Sequence, residues 1–251
     1  MYLTWLDSNS WLIEMAGQRV LLDPWLVGSL TFGNLPWLFE GVRQTPREIP
    51  AAIDLILLSQ GLEDHAHPPT LRQLDRQIPV VASPNAAKIV KALDYLQVTA
   101  LNHGESVTIA DRLKIQALPG SPIGPLLVEN AYLLIDLEQN TSLYYEPHGY
   151  HAPILQDLAP VDVVITPIVD LQLPLAGSII RGKQQALQAI EWLSPKVIIP
   201  TAAGGDIELK GWLPSILKTQ GSAAELRHDL ARQQRTTQVI EPTPGERIRV
   251  L

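Results

Sequence analysis

Residues 53–71 read I-D-L-I-L-L-S-Q-G-L-E-D-H-A-H-P-P-T-L, and the stretch divides sharply after Leu58. Ile53, Leu55, Ile56, Leu57 and Leu58 form an apolar run short enough for a strand buried on both faces. The remainder is polar. Asp64, His65 and His67 cluster just beyond the predicted strand, and Pro68-Pro69 then opens a predicted helix over Thr70–Gln77. A carboxylate and two imidazoles therefore converge where a strand ends.

Outward from this stretch, composition sets the bounds. The chain has 251 residues, 46% of them hydrophobic, which is ample for the core of one large domain over residues 1–251. A formal net charge of -7 leaves no general basic footprint for nucleic acid or an anionic membrane. Cysteine is absent, which excludes disulfides, thiolate ligands and cysteine nucleophiles. The N-terminus lacks a basic segment followed by an apolar one, and no apolar run approaches the ~20 residues that span a bilayer. A soluble cytoplasmic protein is the expected class. The 21 prolines punctuate apolar segments without clustering, as in a chain of many short elements.

Tyr2–Leu6, Ser10–Glu14 and Arg19–Leu22 read as strands of a meander separated by D-S-N and M-A-G-Q turns. Leu26–Pro50 has no sustained period and is predicted as a long, partly packed loop. Val80–Ala82 is a predicted strand and Pro84–Leu96 a predicted helix. Strands are then expected at Val98–Leu101, Ser106–Ile109, Leu113–Leu118, Ala131–Asp136 and Ser142–Tyr145, which implies a second sheet. Val161–Thr166 and Val197–Ile199 are further strands, with helices over Lys183–Leu193, Gly211–Thr219 and Ala223–Gln234. Gln238–Ile240 and Arg247–Val250 close the series. Strands lead each half and helices flank them, an α/β pattern of stacked sheets covered by helices.

These segments, taken in order, resemble the metallo-β-lactamase superfamily, in the branch that opens with a W-L-G-H-S-type strand followed by I-D-P. Here the corresponding residues are Trp5-Leu6-Asp7-Ser8-Asn9-Ser10 and Leu22-Asp23-Pro24. The family motif S/T-H-x-H-x-D-H corresponds to Ser59-Gln60-Gly61-Leu62-Glu63-Asp64-His65. L-x-I-x-A-x-P-G over Leu113–Gly120 matches the strand that normally delivers a histidine, and Ser121 stands at that position. Ser142–Tyr145 matches the strand that ends in a bridging aspartate, with His148 at or within one residue of it. Val161–Pro167 and Pro195–Pro200 match the last two core strands. Thr201, Ala202 and Ala203 follow where a histidine is usual. The resemblance covers most of residues 2–203, and 204–251 carries no matched motif.

The resemblance implies a four-layer αββα sandwich of two mixed sheets, with a two-metal hydrolytic site on one edge. The first metal position would fall to Gln60, Leu62 and Ser121, a poor set for a transition metal, so that position is expected to be empty. At the second position Asp64 and His65 are retained, and His148 could replace the lost aspartate. Two imidazoles and one carboxylate make a facial set able to hold one Zn, Mn or Fe ion with room for water. The competing structural reading gives Asp64 a capping or turn-bracing role and His65 a buried hydrogen bond.

Other candidates weigh less. His67 reads as a partly exposed turn residue or a substitute ligand, and His151 as a loop residue able to face the same cleft. His103 reads as a hairpin residue and His228 as part of a charged helix. Asp23 could orient a ligand or simply form a D-P turn. Ser121 lacks a nucleophile-elbow context. A-A-G-G-D after Pro200 is glycine-rich but has no P-loop lysine. Glu146 with His148, beside Tyr144 and Tyr145, could form an acid–base set or be packing.

Two functions follow. One is a mononuclear hydrolase of an ester, lactone or phosphoester, with Asp64, His65 and His148 as catalytic and metal-binding residues. The other is a metal-free, inactive relative that binds a small ligand or protein partner in a cleft lined by Gln60, Leu62, Ser121 and Ala202. In both, the ligand and the oligomeric state stay open.

Overall fold

A computed structural model of the chain describes residues 1–124, 126–174, 177–202 and 204–251. Ala203, part of the segment after the Val197–Ile199 strand, lies outside the described residues. In chain order the first elements are β1 (Tyr2–Trp5), β2 (Trp11–Met15), β3 (Gln18–Leu22), β4 (Leu30–Thr31), β5 (Glu40–Arg43) and β6 (Leu55–Leu58). There follow α1 (Pro68–Leu71), β7 (Val80–Ala82), α2 (Pro84–Ala92), β8 (Val98–Ala100), β9 (Ser106–Ile109), β10 (Leu113–Ile123), β11 (Leu127–Asp136) and β12 (Thr141–Tyr145). After a 3-10 turn come β13 (Val163–Ile165), β14 (Asp170–Leu173), β15 (Gly177–Ile180), α3 (Lys183–Leu193) and β16 (Val197–Ile199). The chain ends with β17 (Ile207–Lys210), α4 (Trp212–Ile216), β18 (Lys218–Gln220), α5 (Ala223–Arg232), β19 (Gln238–Val239) and β20 (Arg247–Arg249). These divide between two compact units.

The first unit comprises Met1–Asn102, Gly204–Ile216 and Thr243–Leu251. Its main sheet has the order β20-β1-β2-β3-β6-β7-β8, antiparallel through β3 and parallel from β3 to β8. The β2–β3 hairpin closes on Ala16 and Gly17, both at positive φ, the two-residue geometry whose twist matches the flanking strands. All four β6 residues are fully buried, each worth about 1.5–3 kcal/mol of transfer free energy. Ile56 and Leu58 pack with Leu71 and Leu74 and with Ala86, Ala87 and Val90 of α2. That helix starts where Ser83 Oγ accepts from the Ala86 amide at 3.2 Å, and it stops before Asp94 at φ 64°.

The second unit comprises the described residues of His103–Ala203 and Leu217–Pro242. Its sheet runs β19-β16-β13-β12-β11-β10-β9, antiparallel from β9 to β12 and parallel from β12 to β19. Ala186, Ala189, Ile190 and Leu193 of α3 and Leu226 and Leu230 of α5 share a buried cluster with Leu133, Tyr144, Val164 and Ile198. Two large mixed sheets with few helices are the α/β class expected for the metallo-β-lactamase fold.

Several predicted elements are corrected. Val98–Ala100 does not belong to the second sheet; it extends the first, parallel to β7. The predicted helix Thr70–Gln77 is only the turn Pro68–Leu71, because Asp75 Oδ1 takes the Gln77 amide at 2.9 Å in a competing local turn. Gly211–Thr219 is α4 and then strand β18, whose Lys218 pairs with Gln172. The predicted loop Leu26–Pro50 contains β4 and β5, which join β17 in a small antiparallel sheet. A Cβ on Gly41 of β5 would approach the Trp25 ring to 2.8 Å, so glycine is required there.

Candidate functional site

In the first unit the site starts at the parallel pair β3–β6. Asp23 follows β3 directly; its amide donates to Leu57 O at 3.0 Å, and its φ of 43° turns the carboxylate toward the exit of β6. There the Ser59 amide donates to Asp23 Oδ1 at 2.7 Å, and Ser59 Oγ donates to Oδ2. The chain then turns: the amides of His65 and Ala66 both donate to Leu62 O. Gly61 lets this turn approach α2, since a Cβ there would overlap the Asn85 side chain. The result sets the His65 imidazole between two carboxylates, with Nδ1 2.7 Å from Asp23 Oδ2 and Nε2 3.2 Å from Asp64 Oδ2. Asn9 Nδ2 lies 3.4 Å from His65 Nε2 and donates to Asp64 Oδ2 at 3.5 Å.

Asp23, Ser59, Gln60 and His65 are buried, whereas Asp64 and Leu62 are half-buried. Burial works against the charged form of His65, but the carboxylates of Asp64 and Asp23 outweigh it and hold its pKa up at about 10. Asp23, read from sequence as a ligand-orienting residue or a D-P turn former, pairs its carboxylate with the His65 imidazole, and His65 makes a buried hydrogen bond. Asp64 does not cap a helix: the N-cap of α1 is His67, without a side-chain capping bond.

His67 is corrected from a partly exposed turn residue to a buried structural one. Thr70 Oγ1 accepts the Leu26 and Val27 amides at 2.9 and 3.3 Å, so its own proton goes to His67 Nδ1 at 3.0 Å. The ring also bonds to the backbone of Ser29, and burial pushes its pKa down to about 4. His67 therefore ties α1 to the segment after Trp25 as a neutral side chain.

In the second unit Ser121 is buried on β10, and its Oγ lies 3.0 Å from Nδ1 of the half-buried His148. Glu146 places that histidine through backbone contacts, because its Oε2 accepts the amides of His148 and Tyr150 at 3.0 and 2.8 Å. Through these bonds the Glu146 carboxylate holds the loop that carries His148. Ala202, half-buried after β16, has φ 69°. His103 is exposed with Nε2 3.3 Å from Glu129 O, and His228 is exposed on α5.

Sequence reasoning missed Asn9 and the Asp7 cluster. Asp7 is fully buried; it binds Arg43 Nε at 3.1 Å and Arg47 Nε at 2.8 Å and accepts the Asp206 amide at 2.9 Å. A lone aspartate in a D-S-N turn gives no signal of partners at positions so far along the chain.

Mixed parallel–antiparallel sheets with an aspartate–histidine turn at a strand exit define a metallo-β-lactamase-type scaffold. The chain belongs to the metallo-β-lactamase superfamily: the family model described as "Beta-lactamase superfamily domain" matches residues 2–202. Among its relatives is a UPF0173 metal-dependent hydrolase of Hyperthermus butylicus, 29% identical over 213 residues that cover 79% of this chain and 82% of the relative. Isothiocyanate hydrolase from Delia radicum gut bacteria shares the fold at a TM-score of 0.70 and 17% identity, over 99% of this chain and 98% of that one. The metallo hydrolase Igni18 from Ignicoccus hospitalis does so at 0.68 and 16%, over 98% and 97%. No helix among the described residues is long and apolar enough to cross a membrane.

Proposed function

We propose that the chain is a mononuclear metal-dependent hydrolase of an ester, lactone or phosphoester, with one Zn, Mn or Fe ion held by Asp64, His65 and His148. The observation that carries the proposal is the Asp23–His65–Asp64 string. A histidine that ligates a metal almost always gives its other ring nitrogen to a carboxylate or carbonyl, which fixes the tautomer and ring orientation. Asp23 occupies that place on Nδ1. Donors about 2.0–2.1 Å from a shared ion stand roughly 2.9 Å apart at a right angle and roughly 3.4 Å apart at a tetrahedral one. The 3.2 Å between His65 Nε2 and Asp64 Oδ2 falls between these values, so the pair fits an ion. Gln60 and Leu62 do not: a primary amide and an alkyl chain make no transition-metal position.

When bound, such an ion supplies Lewis-acid polarisation and a lowered pKa for water. Asp23 holds the Nδ1 proton of His65, so an ion at Nε2 would displace only the second proton, the one that faces Asp64. Asn9 braces the Asp64 carboxylate, and Ser121 fixes the His148 ring through Nδ1. Kinship with relatives named as metal-dependent hydrolases supports the same reading. Elemental analysis of protein purified without chelator tests it: about one equivalent of ion is expected, lost together with activity in His148→Ala. Absence of metal after exposure to zinc, manganese and iron would overturn it.

A specific observation also favours the metal-free reading, in which the cleft binds a small ligand or protein partner. Both ring nitrogens of His65 already have protein groups within reach, Asp23 on one side and Asp64 with Asn9 on the other. The same metal analysis separates the two readings.

A further inference from the structure

A second polar recess lies wholly within the second unit. A cleft of about 200 Å³ is lined by Gly120, Tyr150, His151, Arg181 and Gln185, among others. The Tyr144 hydroxyl lies 3.2 Å from His151 Nδ1. Burial, with Glu146 adding to it, holds the Tyr144 hydroxyl well above the usual phenol range, so Tyr144 keeps its proton; among the described residues Nδ1 is the one acceptor within its reach, which makes the hydroxyl the donor. Burial also pushes His151 down to about 4, so the ring is neutral and its own proton must sit on Nε2. That atom is buried and has no hydrogen-bond partner among the described residues. A buried N–H left unsatisfied costs about 1–3 kcal/mol, so it is a donor in want of an acceptor.

The remaining lining supplies charge. The Arg181 guanidinium lies 4.6 Å over the Tyr150 ring, and among the described residues no carboxylate pairs with it. Gln185 adds a side-chain amide on the first turn of α3. The N-terminus of that helix is already occupied, since Asp170 Oδ1 accepts the amides of Gly182 and Lys183 at 2.7 and 3.0 Å. Recognition here therefore falls to side chains: one planar cation, one neutral N–H donor and one amide, with no acidic group in the lining.

We propose that this cleft binds the carboxylate of a small organic acid, with Arg181 forming a forked ion pair and His151 Nε2–H donating to one oxygen. The guanidinium fork matches a carboxylate in two parallel bonds, and the space suits a short-chain acid. Gly149, which follows His148, and Gly120, which precedes Ser121, border the cleft. A bound acid would thus lie beside His148 and could anchor a substrate at a group remote from the scissile bond. That anchoring role rests on the hydrolase reading above, whereas carboxylate binding does not.

The experiment titrates chelator-treated, nitrogen-15-labelled full-length protein with acetate at constant ionic strength, following the His151 imidazole resonances. Acetamide and inorganic phosphate serve as comparison probes. The expected result is an Nε2–H signal in the metal-free protein that shifts saturably with acetate and little with acetamide or phosphate. Arg181→Met should weaken acetate binding about tenfold or more, the scale of a lost charge-assisted pair, with Arg181→Lys in between. Arg181 is exposed, so both variants are expected to fold. No saturable shift, equal affinity in Arg181→Met, or a preference for phosphate would each overturn the assignment. Metal content does not enter this readout, so failure here and failure of the hydrolase reading are distinguishable.

Discussion

The Asp23 carboxylate lies 2.7 Å from Nδ1 of His65, and both side chains are fully buried. The two residues come from the exits of neighbouring parallel strands, β3 and β6, and Ser59 binds the same carboxylate through its amide and hydroxyl. One carboxylate thus both ties two strand ends together and fixes the orientation of the histidine ring through its Nδ1 proton.

Asp23→Asn is expected to be among the most disruptive single changes in this unit. It leaves a buried imidazole and a serine hydroxyl without their common anion, and breaking such a pair costs about 3–5 kcal/mol. Ser59→Ala should cost nearer 1 kcal/mol, because the amide bond to Asp23 survives. Urea unfolding of the two variants measures the difference; equal losses would contradict a central role for the carboxylate.

Asp7 predicts a second sensitive position remote from the histidines. It is fully buried between Arg43 and Arg47 and also takes the Asp206 amide. Asp7→Ala strands Arg43, whose side chain is only 5% exposed, and should cost about 3–5 kcal/mol. Thermal melts of Asp7→Ala and Asp7→Asn check this, with the amide variant losing less because its oxygen can still accept the Asp206 amide.

Stability should fall on acidification through the window set by His151. Its pKa is near 6.5 unfolded and about 4 folded, so between these values the unfolded chain binds more protons than the native one. Stability is therefore full above pH 6.5, declines toward pH 4 and levels off below, with a ceiling of about 3 kcal/mol for this group. His67, which burial also pushes down to about 4, adds to the same window, so His151→Gln should reduce the slope without removing it in denaturant titrations at stepped pH.

Gly149→Ala should perturb the His148 loop. Gly149 has φ 78°, and a Cβ there would overlap the carbonyl oxygen of Arg181, whose amide donates to His148 O at 2.8 Å. Relieving the overlap moves the Arg181 backbone between β15 and α3, at a cost of about 2 kcal/mol or more. Loss of the amide-exchange protection of Arg181 would mark the same event locally.

Elements with a strong local signal were legible before the structure. The uniform apolar run ending at Leu58, the apolar spacing of Lys183–Leu193 and the A-G turn between β2 and β3 each encode their own conformation. The small sheet of β4, β5 and β17 was not, because E-G-V-R does not alternate, I-E-L-K alternates over a single short segment, and the two pair across more than 160 residues. At the site, Asp64 and His65 were legible as a motif remnant and Asp23 as a family position. Asn9, and the burial that makes His67 structural, depend on tertiary contacts that no local pattern carries.

The proposed function places a single ion on Asp64, His65 and His148. The most direct measurement follows the imidazole nitrogen-15 resonances of metal-free protein during zinc titration. His65 Nε2 and a His148 ring nitrogen are expected to shift together and saturate at one equivalent, with His67 and His151 unmoved and the effect lost in Asp64→Ala. Saturation without His148, or no response of His65, would contradict it.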